Sequence, residues 1–555
     1  MRGRRVMSAA CGAALLQAIV WLAAEASSAE FRVSDAERVR IEAALPARAR
    51  VAPAAPRRLL IFDLNVGYPG HPSIGHANTA FTLMGARTGA FATEISRDPA
   101  VFAPESLRRF DAVFFNNTVG NCFEDPALRE SLVEFVYRGG GLLGVHGTTV
   151  AFTKWPGAIE DWPEFGIMLG GRGARHRASD ERVTVTLDSP EHPLNLCFGG
   201  RPFEYASEFF RVDGPYSRHR VRVLFSIDTA RTDLAAGGAL PERADGDYAL
   251  AWVRGYGRGR VCYCTIAHSP ADFMHPTMLE FYLGAAQYVL GDLAAPATPS
   301  AKLSPAVLAQ EKLGWRVAAG APDPSRESFF ESIDRAAALG AGYVCGASAQ
   351  KVGGEVEGAL DARLSADARR AIRLKLDAAG VRLLAYRLDP LPAAPDSVRA
   401  AFAFARAMGV ETIIADEASG AREFVHGLCG EYDLVLAARE RGGGAPPWAP
   451  GGALEAFRAR GGRRAGICDA LGRWVRGGDG AAEALEAAGA HVKVFELRGG
   501  ASDARGNGEE AERLFGRMAR AGVRPIFIVL AESAPPADAA ETIRRLNELS
   551  VKSAR

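Results

Sequence analysis

The sequence predicts two α/β domains in series: a doubly wound parallel sheet flanked by helices, followed by an eight-unit (β/α)8 barrel. Three observations carry that prediction. Apolar strand-like runs alternate with amphipathic helical runs from Arg57 onward. A Pro- and Ala-rich stretch at residues 294–311 interrupts them with the composition of a linker. Beyond it the alternation becomes strict and gives eight βα units over residues 312–555, the size of a barrel. A chain of 555 residues is also too long for one core.

The first element is a targeting segment. Arg2, Arg4 and Arg5 precede an apolar run from Ala9 to Ala24, and small residues then lead to Ser27-Ser28-Ala29. This is the signal-peptide pattern, so residues 1–29 are expected to be removed from a periplasmic or secreted protein. The alternative is an uncleaved anchor, for which the apolar run is short. Losing three arginines and Glu25 takes the net charge from +1 to −1. A near-neutral chain lacks the basic stripe that a nucleic-acid partner requires. No later segment approaches a membrane-spanning length, so the mature chain is expected to have no membrane partner. Nothing in the composition addresses oligomeric state.

Residues 30–56 read as a helix or arm followed by a linker, and the first domain as residues 57–293. Its strands are expected at 59–64, 92–95, 112–115 and 142–146, with helices at 74–87 and 128–138. The pattern then turns to β, at 183–187, 221–227, 248–254 and 260–266. The last two flank the hairpin signal Gly255-Tyr-Gly-Arg-Gly259, and a helix at 278–290 closes the domain. In the second domain strands are expected at 314–319, 343–347, 381–388, 412–416, 434–438, 464–470, 491–497 and 525–531. An open doubly wound sheet is the alternative to closure. Cys122, Cys197, Cys262, Cys264, Cys345, Cys429 and Cys468 are odd in number and scattered, so buried free thiols are expected. A Cys122–Cys197 pairing stays open.

Function in an open sheet belongs beyond the carboxyl ends of its strands. Three polar clusters fall there: Gly67 to His71, Asn116-Asn117-Thr118, and Gly144 to Thr149. A turn of small residues with His146 at its tip presents a reactive side chain, as a nucleophile elbow does. Histidine suits acid–base work or ligand hydrogen bonding, not acyl-enzyme formation.

The stretches GYPGHPSI, FDAVFFNNTVGNCF, GGGLLGVHGTT, WPEFGIMLGGRGARH, EHPL and YGRGRVCYCTIAHS together resemble the ThuA-like trehalose-utilisation family. The resemblance covers most of residues 57–293. It implies a class I glutamine-amidotransferase-like, flavodoxin-type core without the amidotransferase nucleophile, and a link to disaccharide or oxidised-sugar metabolism. Carried onto this sequence, it gives His146 and His268 as catalytic residues. His71, Asn116, Thr148, His176 and Glu208 become saccharide-binding residues. Gly147 stands where Ala is common in the family, and the stretch around His176 is basic where an aromatic-rich one is usual. Asn116 and Asn117 have an alternative role as turn caps, and His192 reads as a turn residue. No HxH or HxxxH pair occurs and no carboxylate is fixed beside the histidines in sequence. The expectation is therefore no metal and no cofactor, with a His71/His146/His268 metal site as the alternative.

The stretches LGWRVAAG, FFESIDRAAALGAGYV, QKVGGEVEGALD, KLDAAGVRLLAYRL, FARAMGVETIIAD and RAGICDALGRWVRGG resemble the xylose-isomerase-like sugar isomerase/epimerase family. That family implies a divalent ion held by Glu, Asp and His at successive strand ends. Here the fourth strand ends in Asp416-Glu417, the fifth in Ala437-Ala438-Arg439, and the sixth runs Cys468-Asp469-Ala470-Leu471-Gly472-Arg473-Trp474. Arg439 and Arg473 would oppose a cation. The barrel is thus expected to be metal-free, the alternative being convergence of Asp416, Asp469, Glu496 and Glu532. Three functions follow: saccharide chemistry in the first domain, saccharide binding without turnover, or a metal isomerase in the barrel.

Overall fold

Strand and helix alternate after Arg57 as the apolar periodicity requires. The computed structural model describes residues 31–235, 243–416, 422–439, 446–460, 462–498, 508–530 and 537–555. The expected signal segment lies outside them. Among the described residues no helix is long and apolar enough to cross a membrane.

The first domain opens with β1 (Arg58–Phe62), β2 (Ala92–Ser96), β3 (Ala112–Asn116) and β4 (Gly141–Val145). Two short strands follow, β5 (Thr153–Lys154) and β6 (Ile159–Glu160), then β7 (Arg172–Arg175), β8 (Glu181–Leu187), β9 (Phe203–Ser207) and β10 (Arg211–Asp213). The domain ends with β11 (Arg222–Ile227), β12 (Ala249–Tyr256) and β13 (Gly259–Cys264). One sheet takes the order β2-β1-β3-β4-β13-β12-β11-β8-β9. Its half from β2 to β13 is parallel, and the half from β12 to β9 is antiparallel. The parallel half has the flavodoxin-type order.

Period-two alternation places each strand's side chains on two faces. Leu59 and Ile61 pack with the helices Ile74–Thr88 and Pro276–Val289, while Leu60 and Phe62 pack with Pro126–Tyr137. Both faces are covered, which is why these strands read as continuous apolar runs. The arm before β1 holds a helix, Asp35–Ala44, started by a Ser34–Glu37 capping box and docked through Ile41.

The second domain is closed. Its strands are β14 (Arg316–Gly320), β15 (Tyr343–Ala347), then a small hairpin of β16 (Lys351–Gly353) and β17 (Val356–Ala359). β18 (Arg382–Leu388), β19 (Thr412–Ala415), β20 (Val435–Arg439), β21 (Ala465–Ala470), β22 (Val492–Arg498) and β23 (Ile526–Leu530) follow. The barrel runs β14-β15-β18-β19-β20-β21-β22-β23, and β23 pairs back onto β14 with Ala318 opposite Ile528. Closure settles the choice against an open sheet. Ala318, Cys345, Ile414, Ala437, Cys468, Val494 and Ile528 fill the interior.

The stretch read as linker ends in a helix, Pro305–Leu313, capped by Ser304. Gln310 there donates to Asn547 Oδ1 at 2.8 Å on the barrel's last helix. The two domains meet through ion pairs, among them Arg373 with Glu130 at 3.0 Å and Arg254 with Asp377. The seven cysteines among the described residues are free, and all but Cys197 are buried. Cys122 and Cys197 are not paired.

Candidate active site

The carboxyl ends of the parallel strands bring the sequence-predicted histidines together. β1 leads to His71, β3 ends in Asn116 and Asn117, β4 runs into His146, and β13 leads to His268. A flavodoxin-type sheet changes winding direction between β1 and β3, where ligands bind. The antiparallel edge supplies Glu208, directly after β9, and the loop after β7 supplies His176.

His146 is fully buried and takes φ = +39°, a region that residues with side chains seldom adopt. The turn is held because the His146 carbonyl accepts from Tyr263 Oη at 2.9 Å and Thr149 Oγ1 at 3.0 Å. His146 Nδ1 lies 3.0 Å from the Thr265 carbonyl oxygen. A carbonyl only accepts, so Nδ1 carries a proton and donates it there. That Nε2 approaches Glu208 Oε1 to 3.3 Å without an aligned hydrogen bond.

Glu208 is the hub. Its Oε1 lies 3.2 Å from His176 Nδ1, and its Oε2 lies 3.6 Å from His268 Nε2. Burial pushes its carboxyl up, but the close approach of His146 and His176 outweighs burial and holds it well below the usual carboxylate range. Burial, reinforced by the neighbouring imidazoles, holds His71 well below its ordinary value and lowers His268. The hydrogen bond to Glu208 raises His176. The site therefore sets His71 and His268, both made less basic by burial, beside an ionised carboxylate and a more basic, partly exposed His176.

The rings of His71 and His146 are 4.8 Å apart, those of His146 and His268 5.1 Å, and those of His71 and His268 5.5 Å. One donor atom from each of His71, His146, His268 and Glu208 lies within 4.8 Å of the others, a geometry that can hold a metal ion. The sequence argument against a metal rested on the lack of a carboxylate beside the histidines. Folding supplies one that is sixty or more residues from each of the three histidines in sequence, which spacing motifs do not register.

The remaining predicted residues divide. Asn116 is buried and donates to Ile74 O at 3.0 Å and Asn78 Oδ1 at 2.9 Å, so it braces a helix start. The Thr148 hydroxyl, the expected saccharide contact, is taken up by the Phe115 carbonyl at 2.7 Å and the Val145 carbonyl at 2.8 Å. It ties β3 to β4. His192 caps the turn at Leu194 and contacts Pro296 O at 2.9 Å, as expected of a turn residue.

Sequence reasoning passed over Asn117 as a turn cap. At φ = +53° it donates to Ser73 Oγ and Ala267 O, each at 3.2 Å, and accepts from the Gly147 amide at 3.2 Å. One side chain thus ties together the three loops that carry His71, His146 and His268. Gly147 is needed for close approach: a Cβ there would come within 2.8 Å of His71 Cε1. Tyr68, Trp155 and Phe210 were also missed. Tyr68 lies 5.0 Å from His71 and 5.4 Å from Trp155, and Phe210 lies 4.8 Å from His146 and 5.1 Å from His176. They form an aromatic flank to the cluster.

The barrel's strand ends carry different chemistry. Alternation turns Cys468 inward and Asp469 outward, where Asp469 accepts from Trp474 Nε1 at 2.9 Å and Arg473 Nη1 at 3.0 Å. Arg473 pairs with Asp469 at 3.0 Å. Arg439 does face inward: its Nη2 lies 3.7 Å from Glu496 Oε1, and Arg387 Nη2 lies 3.6 Å from the same oxygen. Glu417 and Glu532 lie outside the described residues.

Residues 58–289 match the family model described as ThuA, trehalose utilisation. No curated protein matches the chain. Among solved structures, the chain is similar to a ThuA-like protein from Bacteroides uniformis, at 21% identity and a TM-score of 0.35, over 43% of this chain and 93% of that one. It is also similar to a sugar phosphate isomerase/epimerase from Parabacteroides distasonis, at 13% identity and a TM-score of 0.29, over 43% and 94%. A third is a xylose isomerase-like TIM barrel protein from Mycobacterium smegmatis in complex with magnesium, at 10% identity and a TM-score of 0.34, over 43% and 98%. Residues 58–289 of this chain are accordingly a ThuA-family domain, followed in the same chain by a closed eight-stranded parallel barrel.

Proposed function

We propose that the ThuA domain binds and transforms a saccharide, a disaccharide or its keto derivative, at the His71/His146/His268/Glu208 cluster. The observation that carries this reading is the convergence of three imidazoles and one carboxylate beside an aromatic flank. Aromatic faces suit the apolar faces of sugar rings, and polar groups at one end fix orientation. The trehalose-utilisation description of the matched family supports the substrate class.

In this reading His146 and His268 act on the reacting carbon–oxygen group. His146 has its Nε2 directed into the cluster by the bond from Nδ1 to the Thr265 carbonyl. Glu208 balances positive charge that develops on the imidazoles. His176, held by Glu208 at the more exposed side, moves the proton between site and solvent. The barrel is a partner domain without a metal centre, its mouth occupied by Arg387 and Arg439 around Glu496. The protein is exported, with residues 1–29 removed.

The test is a screen of disaccharides and 3-keto-disaccharides with wild type and His146→Ala. Turnover confined to wild type supports the reading. Equal turnover by both proteins removes His146 from the chemistry.

A further inference from the structure

Three imidazole nitrogens of the cluster are buried and unsatisfied. His71 Nδ1, His146 Nε2 and His268 Nδ1 all lack a hydrogen-bond partner. Such atoms are costly in a folded protein and call for an explanation.

We infer that His71, His146, His268 and Glu208 hold one divalent transition-metal ion of the Zn2+ class. The inference deepens the saccharide reading and rests on it for the use of the ion. Three imidazoles with one carboxylate suit zinc and its first-row neighbours, whereas Mg2+ and Ca2+ favour all-oxygen shells. Tetrahedral ligand atoms at zinc distances lie about 3.4 Å apart. One donor atom from each of the four residues lies within 4.8 Å of the others, and His146 Nε2 to Glu208 Oε1 already measures 3.3 Å.

The surroundings match as well. A ligating histidine typically gives its other N–H to a carbonyl or carboxylate, which fixes tautomer and ring. His146 does this with Thr265 O at 3.0 Å. Asn117 holds the three ligand loops in register. His176 stays outside the ligand set, because its Nδ1 lies 3.0 Å from the Arg177 carbonyl and 3.2 Å from Glu208. The ion would polarise a sugar carbonyl or hydroxyl oxygen as a Lewis acid, with His176 left free to carry the proton.

The experiment uses the untagged full chain stripped with chelator. Zn2+, Co2+ and Mg2+ are each titrated by calorimetry, with elemental analysis and, for Co2+, its visible spectrum. The expected result is one equivalent of Zn2+ or Co2+ per chain, a tetrahedral Co2+ spectrum, and no binding of Mg2+. Glu208→Gln should lose at least 100-fold in Zn2+ affinity. His268→Gln, at the more exposed edge, is the second variant should Glu208→Gln not fold. Absence of stoichiometric Zn2+ or Co2+ binding to wild type overturns the inference. So does a folded variant that keeps wild-type affinity. Turnover of a keto-disaccharide by the stripped protein would end the inference while leaving the saccharide reading in place.

Discussion

The ThuA domain and the barrel both gather polar side chains at the carboxyl ends of parallel strands, yet they build opposite sites there. In the first domain imidazoles converge on Glu208, with ion-pair distances of 3.2 to 3.6 Å. In the barrel two guanidinium groups flank Glu496 at 3.6 and 3.7 Å. Lone pairs facing a carboxylate invite a cation; guanidinium groups in the same position repel one. Topology sets where a site lies, and the residues at the strand ends set what it does.

The largest expected effect that would sharpen this contrast is His176→Ala. It should lower kcat by about 10²–10⁴-fold, the usual range for a proton-transfer group, with metal content unchanged in elemental analysis. Loss of metal together with rate would instead make His176 a ligand. Asn117→Ala should weaken Zn2+ binding by roughly 10–100-fold, the cost typical of residues that orient ligands. Calorimetry reads this, and unchanged affinity would mean that the three loops hold their positions without it.

Acidification separates the domains further. His71 has a folded value below its unfolded one, so its stabilising contribution is complete above about pH 6.5 and declines as pH falls below it. Glu208 behaves likewise over a lower window, beginning near pH 4.5 and extending downward. His176 has the opposite sign, its contribution being lost as pH rises through its raised value. Melting of wild type should therefore fall between pH 7 and 5, and His71→Phe should flatten that fall. An unaltered slope in the variant would detach His71 from the pH response.

The strand and helix pattern was legible because both faces of the parallel sheet are buried, which makes Leu59–Phe62 and Leu142–Val145 continuous apolar runs. The eight barrel strands were readable for the same reason. His146 was found because it directly follows β4, and His71 because its polar cluster follows β1, whereas His176 and His268 came through the family resemblance. Glu208 was reachable only through the family resemblance, since it enters from the antiparallel edge. Its partnership with the histidines depends on long-range pairing that no local spacing encodes. Asn117 looked like a turn cap because its bonds to Ser73, Gly147 and Ala267 cross loops far apart in sequence. Thr148 was read as a ligand contact because it follows His146, but the tight turn folds its hydroxyl back onto two backbone carbonyls. Asp469 and Arg473 show the reverse: a one-residue offset on β21 turns the carboxylate outward, and Arg473 follows it.

One assay addresses the central contrast most directly. Wild type, His146→Ala and Arg439→Met are compared on the same keto-disaccharide under identical conditions, with folding checked by melting. The account predicts wild-type turnover for Arg439→Met and none for His146→Ala. Retained turnover in His146→Ala, or its loss in a folded Arg439→Met, would place the working site in the barrel and contradict the account.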